Sequence, residues 1–282
     1  MTLNEVYLQG KHVLKNAKIN SYAFDAMRIF EFCFNFDRQD IILYRNSVAD
    51  TNKTSKFFKL IQQRACGRPL QYILGCWSFM DAKIKVGEGV LIPRDDTEVL
   101  VNTALFHLNG KKNPTILDLC AGPGTISINL ALKLPHAKIV AVELSQIALE
   151  YLDANINLNN VKNVIPVQAD VLSDTTNFKF KNFDLIISNP PYIPTCDIKN
   201  LQKEVLHEPQ MALDGGDDGL KFYHSIAKNW CSLLKNQGCI CVEVGIGQAN
   251  SVAEIFLNTN LKNVEFIKDF NNIDRVVVAK KL

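Results

Sequence analysis

The chain has 282 residues, 47% hydrophobic and 21% charged, with a formal net charge of +2. That suffices for one sizeable core and a small second domain. No apolar run approaches the roughly 18 residues of a membrane helix, and Met1-Thr2-Leu3-Asn4-Glu5 lacks the basic-then-apolar pattern of a signal peptide.

The front of the chain reads as helical. Ala23, Met27, Phe30 and Phe34 recur at the spacing of one helix face. Phe30, Phe32, Phe34 and Phe36 are expected to form the core of a small bundle. A further helix is expected to open on the caps Thr54-Ser55, carry Phe57, Leu60, Ile61 and Ala65, and stop at Gly67 with Pro69 beyond. Residues 1–75 hold 11 Lys/Arg against 6 Asp/Glu, so this front is mildly basic and suits an acidic partner such as a ribonucleoprotein.

Residues 71–92 change character. Trp77 to Met80 and Ala82 to Val86 read as a hairpin around Asp81, followed by the turn Gly87-Glu88-Gly89. Val90 to Arg94 then lead into a helix opening at Asp95 or Asp96, with Thr97-Glu98 in its first turn. From residue 114, strands and helices alternate, which argues an α/β body on a mainly parallel sheet. The last two runs, Val264 to Lys268 and Arg275 to Ala279, read as an antiparallel pair.

Four strand ends carry candidate site residues. Thr115 to Leu119 is followed by Cys120-Ala121-Gly122-Pro123-Gly124 and then a helix: strand, tight glycine turn, helix. Such a turn lets a ligand approach backbone and free helix N–H groups. Its glycines do not match the G-x-G-x-x-G of a dinucleotide site, so a nucleoside without pyrophosphate fits better. Lys138 to Val142 runs into Glu143, 19 positions after Gly124, where a carboxylate can accept from both ribose hydroxyls. Val164 to Gln168 leads to Asp170-Val171, suited to an adenine amine and ring. Phe183 to Ser188 leads to Asn189-Pro190-Pro191-Tyr192. The two prolines fix φ twice and remove two donors. Stiff carbonyls beside an amide and an aromatic ring suit the gripping of a planar NH2 group. In parallel sheets ligands bind at these carboxyl ends.

Eight cysteines show no C-x-x-C, and Cys239 and Cys241 share one strand face as packing residues. Five scattered histidines have no ligand spacing, so no metal is expected. Reduced thiols point to the cytoplasm.

These residues resemble class I methyltransferases that use S-adenosylmethionine. The whole chain is similar to protein-glutamine N5-methyltransferases acting on peptide-chain release factors. The landmarks are Arg68 to Gly75, Leu91 to Glu98 (LIPRDDTE), Asp118 to Gly124, Ser188 to Tyr192, Glu208 to Leu213 (EPQMAL) and Asp274 to Val277. The resemblance implies a Rossmann-like seven-stranded sheet, mainly parallel with an antiparallel last strand. It divides the chain into a helical substrate-docking domain (1–70), a β-hairpin connector (71–92) and a methyltransferase domain (93–282). It also implies that Asp118, Cys120, Ala121, Gly122, Pro123, Gly124, Glu143, Asp170, Val171 and Asn189 hold the methyl donor. Asn189, Pro190, Pro191 and Tyr192 then meet the glutamine, which belongs to a release factor's GGQ loop. Glu208 is expected either to position the 189–192 loop or the substrate or to serve the structure alone, and Arg94 either lines the site with Thr97 or tethers the connector. Pro123 and Glu143 depart from the family's usual residues.

The chemistry expected is alignment of a poor nucleophile. Asn189 Oδ1 and the Pro190 carbonyl accept the two amide N–H bonds, and Tyr192 packs on the amide and excludes water. An adenine-N6 DNA methyltransferase shares this clamp, although no strongly basic face accompanies it. The intact Asn189 to Tyr192 stretch argues against a cofactor-binding module without catalysis, and the glycine spacing against a nicotinamide-dependent dehydrogenase. The expected protein is a monomer with a protein substrate, no direct DNA binding and no membrane contact.

Overall fold

The computed structural model describes residues 1–36 and 38–282. They fall into two compact units, Met1–Cys76 with Gln202–His207, and Trp77–Leu201 with Glu208–Leu282.

The first unit contains helices α1 (Leu3–Asn16), α2 (Tyr22–Phe34), α3 (Arg38–Tyr44), α4 (Thr51–Ala65) and α5 (Leu70–Leu74). The Thr2 hydroxyl caps α1 and Glu5 returns the bond. In α2 the buried face is Ala26, Ile29, Phe30, Cys33 and Phe34, while Ala23 and Met27 are only partly covered. Phe30 stacks on Phe34 with centroids 4.4 Å apart and meets Phe57 edge-on at 5.6 Å. Phe32 does not join this core. It is 43% exposed, two residues and therefore about 200° around the helix from Phe30, and lies under the Lys56 ammonium. The cap of α4 is Asp50, which accepts from Lys53 N at 2.9 Å, rather than Thr54-Ser55. Asp50 stands three residues before the N–H it captures, the spacing a cap requires. Arg64, 2% exposed, bonds Asp25 at 2.6 Å and Glu204 at 2.5 Å, which ties residues 202–207 into this unit.

The second unit opens at Trp77, within the hairpin of β1 (Cys76–Phe79) and β2 (Ala82–Lys85). Next come α6 (Thr97–Leu108), β3 (Thr115–Leu119), α7 (Thr125–Lys133), β4 (Lys138–Glu143), α8 (Gln146–Leu158), β5 (Val164–Gln168) and β6 (Phe183–Ser188). α9 (Lys221–Ser225) continues through a π turn to Trp230, and β7 (Leu234–Glu243), α10 (Ala249–Leu257), β8 (Leu261–Lys268) and β9 (Asp274–Lys281) complete it. Seven strands form one sheet in the order β5-β4-β3-β6-β7-β9-β8. The β3, β4, β5, β6 and β7 pairings are parallel, and β9 runs antiparallel to both neighbours. Strand β6, with every residue buried, lies in the middle, as an apolar run covered on both faces must. The chain builds outward from β3 to β4 and β5, then returns to place β6 on the other flank of β3. That reversal opens a crevice beyond Leu119 and Ser188, which are paired.

Two asparagines, one on α8 and one at its C-cap, finish the hairpin's open edge. Asn155 accepts from Lys85 N at 2.6 Å and donates to Lys85 O at 3.1 Å and Pro123 O at 2.9 Å. One turn later, Asn159 repeats the pattern on Lys83 N and O, at 3.0 and 2.7 Å. Side-chain amides thus stand in for a missing strand, and they satisfy alternate residues of β2. Asn155→Ala strips a fully buried site and is expected to cost about 1–3 kcal/mol, whereas the outer Asn159→Ala costs about 0.5–1.5 kcal/mol. Urea unfolding checks the order; equal costs would count against the edge-mimic role.

Candidate active site

A cavity of about 850 Å³ lies at the carboxyl ends of the parallel strands. Its wall draws on the turn after β3, the end of β4, the loop after β5 and the loop after β6, and is completed by residues 89–97 and 209–222.

The turn after β3 is built on three left-handed residues, Cys120 (φ +58°), Gly122 (φ +54°) and Gly124 (φ +87°). Ala121 N donates to Val142 O at 3.0 Å, and Gly124 N to Ala121 O at 2.9 Å. The left-handed conformation at Gly124 calls for glycine, and a Cβ there would also displace the end of the Leu152 side chain, 2.3 Å away at Cδ1. Cys120, Ala121, Gly122 and Pro123 line the cavity; Gly124 stands behind, as the cap of α7. Asp118 also stands behind the turn. It is fully buried, accepts from Ser127 N at 3.1 Å and Ser127 Oγ at 2.6 Å, and is pushed up to about 7 by burial.

Glu143 lines the cavity with much of its acceptor capacity spent. Oε2 accepts from Gly122 N at 2.8 Å, and Oε1 from Leu144 N at 2.9 Å and Ser145 N at 2.8 Å. Two lone pairs per oxygen leave one vacant position, on Oε2, where acceptance of two hydroxyls was expected. Asp170 and Val171 are both in the wall. Asp170 Oδ1 accepts from Leu172 N at 2.8 Å, while the Val171 carbonyl is held by Ser225 Oγ and Trp230 Nε1 at 2.6 and 2.8 Å.

Asn189 and Pro191 of the loop after β6 face the cavity. Asn189 Nδ2 donates to Thr97 Oγ1 at 3.2 Å, and Thr97 is itself in the wall. Pro190 is buried outside the wall. Tyr192 also lies outside it, with its ring packed on the core of the sheet and its phenol pushed up to about 12 by burial. Its carbonyl accepts from Gln248 Nε2 at 2.9 Å. Behind the loop, residues 193–195 zip onto 213–216 through three backbone bonds of 2.9 Å. Gly219 (φ +75°) packs against the loop's backbone: a Cβ there would meet the Tyr192 carbonyl oxygen at 2.4 Å.

Glu208, one candidate for contact with the substrate, lies behind Arg94. One of its oxygens bonds the Arg94 guanidinium and the other accepts from Ile92 N at 2.9 Å. Burial pushes its pKa up, and Arg94 opposes the rise. Sequence reading missed Glu243 and Gln248. Glu243 carries the signal that singled out Glu143, a carboxylate ending an apolar strand, on the strand next to β6.

Two family models match the chain, the "Methyltransferase small domain" over residues 95–218 and the "PrmC N-terminal domain" over residues 5–75. The release factor glutamine methyltransferase of Thermodesulfovibrio yellowstonii is 39% identical over 268 residues, covering 93% of this chain and 95% of its own. The one from Clostridium botulinum is 36% identical over 283 residues, covering 100% of each. Among solved structures, a methyltransferase from Pyrococcus furiosus has a TM-score of 0.53 at 18% identity, covering 72% of this chain and 91% of its own. That likeness is one of fold.

Gly219→Ala is expected to displace the Tyr192 backbone. The left-handed conformation alone costs about 1–2 kcal/mol, and the contact with backbone oxygen adds to it. Thermal unfolding measures the loss; a variant as stable as the parent would show that the loop has room to give.

Proposed function

The chain belongs to the family of release factor glutamine methyltransferases, and on that premise we propose how its cavity directs methyl transfer to the side-chain nitrogen of a glutamine in a peptide-chain release factor. The observation that carries the proposal is the pinned Asn189. With Nδ2 committed to Thr97, Oδ1 is the atom left to meet a substrate amide at the cavity wall.

The wall fits S-adenosylmethionine by its donor and acceptor set. Glu143 Oε2 retains one acceptor position for a ribose hydroxyl. Asp170 Oδ2 is open toward an adenine amine, and Val171 with Phe222 offers apolar surface for the ring. Carboxylates outnumber cations around the cavity, with Glu143, Asp170, Asp214, Asp217 and Asp218 against Arg94 and Lys221, which suits a sulfonium. When bound, this donor supplies an electrophilic methyl whose leaving group is a neutral thioether.

A carboxamide nitrogen is a poor nucleophile because its lone pair is delocalised. Asn189 Oδ1 accepts one of its N–H bonds. The Pro190 carbonyl is assigned the other: Pro190 lies just behind the wall between the lining residues Asn189 and Pro191, and no intramolecular donor is directed to its carbonyl among the described residues. Two fixed acceptors hold the nitrogen and favour its rehybridisation toward the methyl, and the methylated nitrogen, now acidic, releases one proton to solvent, so alignment and preorganised dipoles provide most of the acceleration. Tyr192 anchors the loop from behind, replacing the stacking on the amide expected from sequence. Glu208 fixes Arg94 at the rim instead of touching substrate. Asp118 holds the start of α7, and with it the turn.

We assign the helical unit, basic in charge and matched by the PrmC N-terminal domain, to docking of the release factor, and we place the reaction in the cytoplasm, where such factors act. Duplex DNA is the competing substrate; the relatives' names speak for the protein substrate.

Incubation of a release factor with enzyme and labelled methyl donor is expected to add one methyl group to one glutamine, read by mass spectrometry. Label on DNA instead would reverse the choice of substrate. Asn189→Ala is expected to lower turnover at least ~100-fold, with donor affinity within about tenfold by calorimetry; full turnover would end the acceptor-clamp mechanism.

A further inference from the structure

Gln248 stands where the loop after β6, the segment around Gly219 and the loop after β7 meet, and its side-chain amide is bonded at both ends. It is the N-cap residue of α10 and is half-buried. Its Oε1 accepts from Gly245 N at 2.9 Å, and its backbone N–H donates back to Gly245 O at 3.1 Å. Its Nε2 donates to the Tyr192 carbonyl at 2.9 Å and reaches the Gly219 carbonyl at 3.5 Å, a weak contact. A backbone N–H can only donate and a carbonyl can only accept, so each end of this amide has a forced identity. A Cβ at Gly245 would sit 2.8 Å from Gln248 Oε1 and 3.1 Å from Tyr192 Cδ2, so the side chain folds back because that position is bare.

The bond to Tyr192 completes the hold on one peptide unit. The carbonyl of that unit is taken by Gln248, and its N–H, that of Ile193, donates to Leu213 O at 2.9 Å. With both polar groups bonded, the plane of the Tyr192–Ile193 peptide is set. At the other end, Ser188 is paired with Leu119 on one side and Val242 on the other. Asn189, Pro190 and Pro191 thus span two fixed anchors, and two of the three have φ locked by their rings. The direction of the Pro190 carbonyl follows from where those anchors stand. Without Gln248 the Tyr192 carbonyl is free to turn, and the turn passes through Pro191 to the acceptor.

We propose that Gln248 is a positioning residue for methyl transfer: by holding the Tyr192 carbonyl it aims Asn189 and the Pro190 carbonyl at the substrate amide. The proposal rests on the reading that those two groups accept from that amide. Gln248 lies outside the cavity wall, so its effect falls on alignment and not on affinity.

The test compares wild type, Gln248→Met and Gln248→Glu in methyl transfer to a release factor, with turnover counted per folded enzyme by near-ultraviolet circular dichroism. Methionine keeps the length and loses the side-chain hydrogen bonds. Gln248→Met is expected to lower kcat ~10–100-fold, with KM for the release factor and donor affinity by calorimetry within about threefold. Gln248→Glu keeps the acceptor for Gly245 N but, when ionised, has nothing to donate to Tyr192. Protonated, it regains a donor. Two facing carbonyls and partial burial favour its neutral form and raise its pKa. Its turnover relative to wild type is therefore expected to climb as pH falls across roughly pH 8.5 to 5.5, and the division cancels groups that titrate in both.

A contact that only stabilised the fold would shift Tm and leave this ratio flat. Gln248→Met turnover within about twofold of wild type, or a ratio that does not rise on acidification, overturns the proposal. Should both variants fail to fold, hydrogen exchange of the Gln248 side-chain NH2 in the wild type decides. Exchange ~10-fold or more slower than in an exposed glutamine is expected, and exchange at the exposed rate overturns the hold on Tyr192. Failure of the wild type to methylate any release factor sinks the reading of the substrate; wild-type transfer with Gln248→Met unaffected sinks only the role of Gln248.

Discussion

The bond from Asn189 Nδ2 to Thr97 Oγ1, at 3.2 Å, is the constraint on which the site turns. A side-chain amide is nearly symmetric in shape and opposite in chemistry at its two ends. In this structure the NH2 end is the one turned to Thr97. The backbone around that amide is equally restrained. Pro190 and Pro191 hold φ, Gln248 grips the Tyr192 carbonyl, and residues 213–216 pair with 193–195. The conformational entropy of this loop is therefore lost on folding.

This rigidity depends on the sheet. Parallel pairing of β3, β4, β5 and β6 brings four strand ends to one level, and the reversal between β3 and β6 leaves the gap that the cavity occupies. The turn after β3 and the loop after β6 are neighbours because Leu119 and Ser188 are paired, 69 residues apart in sequence, and because Ser188 Oγ bonds the Leu119 carbonyl at 2.7 Å. The hairpin joins the same frame through Asn155, which bonds Lys85 and the Pro123 carbonyl with one side chain.

The arrangement carries stored cost. Cys120 sits in a left-handed conformation that favours glycine, and two carboxyls, Asp118 and Glu243, are buried far enough to be pushed up to about 7. Each keeps one oxygen without a partner among the described residues. Sites of this kind are tolerated where the surrounding packing over-determines them. Here the surroundings are strands β3 and β7, buried almost throughout.

Local pattern alone was enough for the framework. The apolar runs of β3, β5 and β6 coincide with Thr115–Leu119, Val164–Gln168 and Phe183–Ser188, and glycine or proline marks the turns at 120–124 and 190–191. Those signals are local because strand propensity, glycine freedom and proline stiffness act within a few residues. What the tertiary structure decided is which partner each side chain meets. Phe32 and Phe34 look alike in sequence, yet helical rotation exposes one and buries the other. For Glu208 the sequence leaves a structural and a substrate-side role open, and the fold puts its oxygens on Ile92 and Arg94. Gln202 to His207 belong with the helices of residues 1–76 because Arg64 binds Glu204, 140 positions away. Thr97 meets Asn189, 92 positions away, only after long stretches of intervening chain have folded. Hydrogen-bond direction depends on a neighbour in space, and one-dimensional spacing does not encode it.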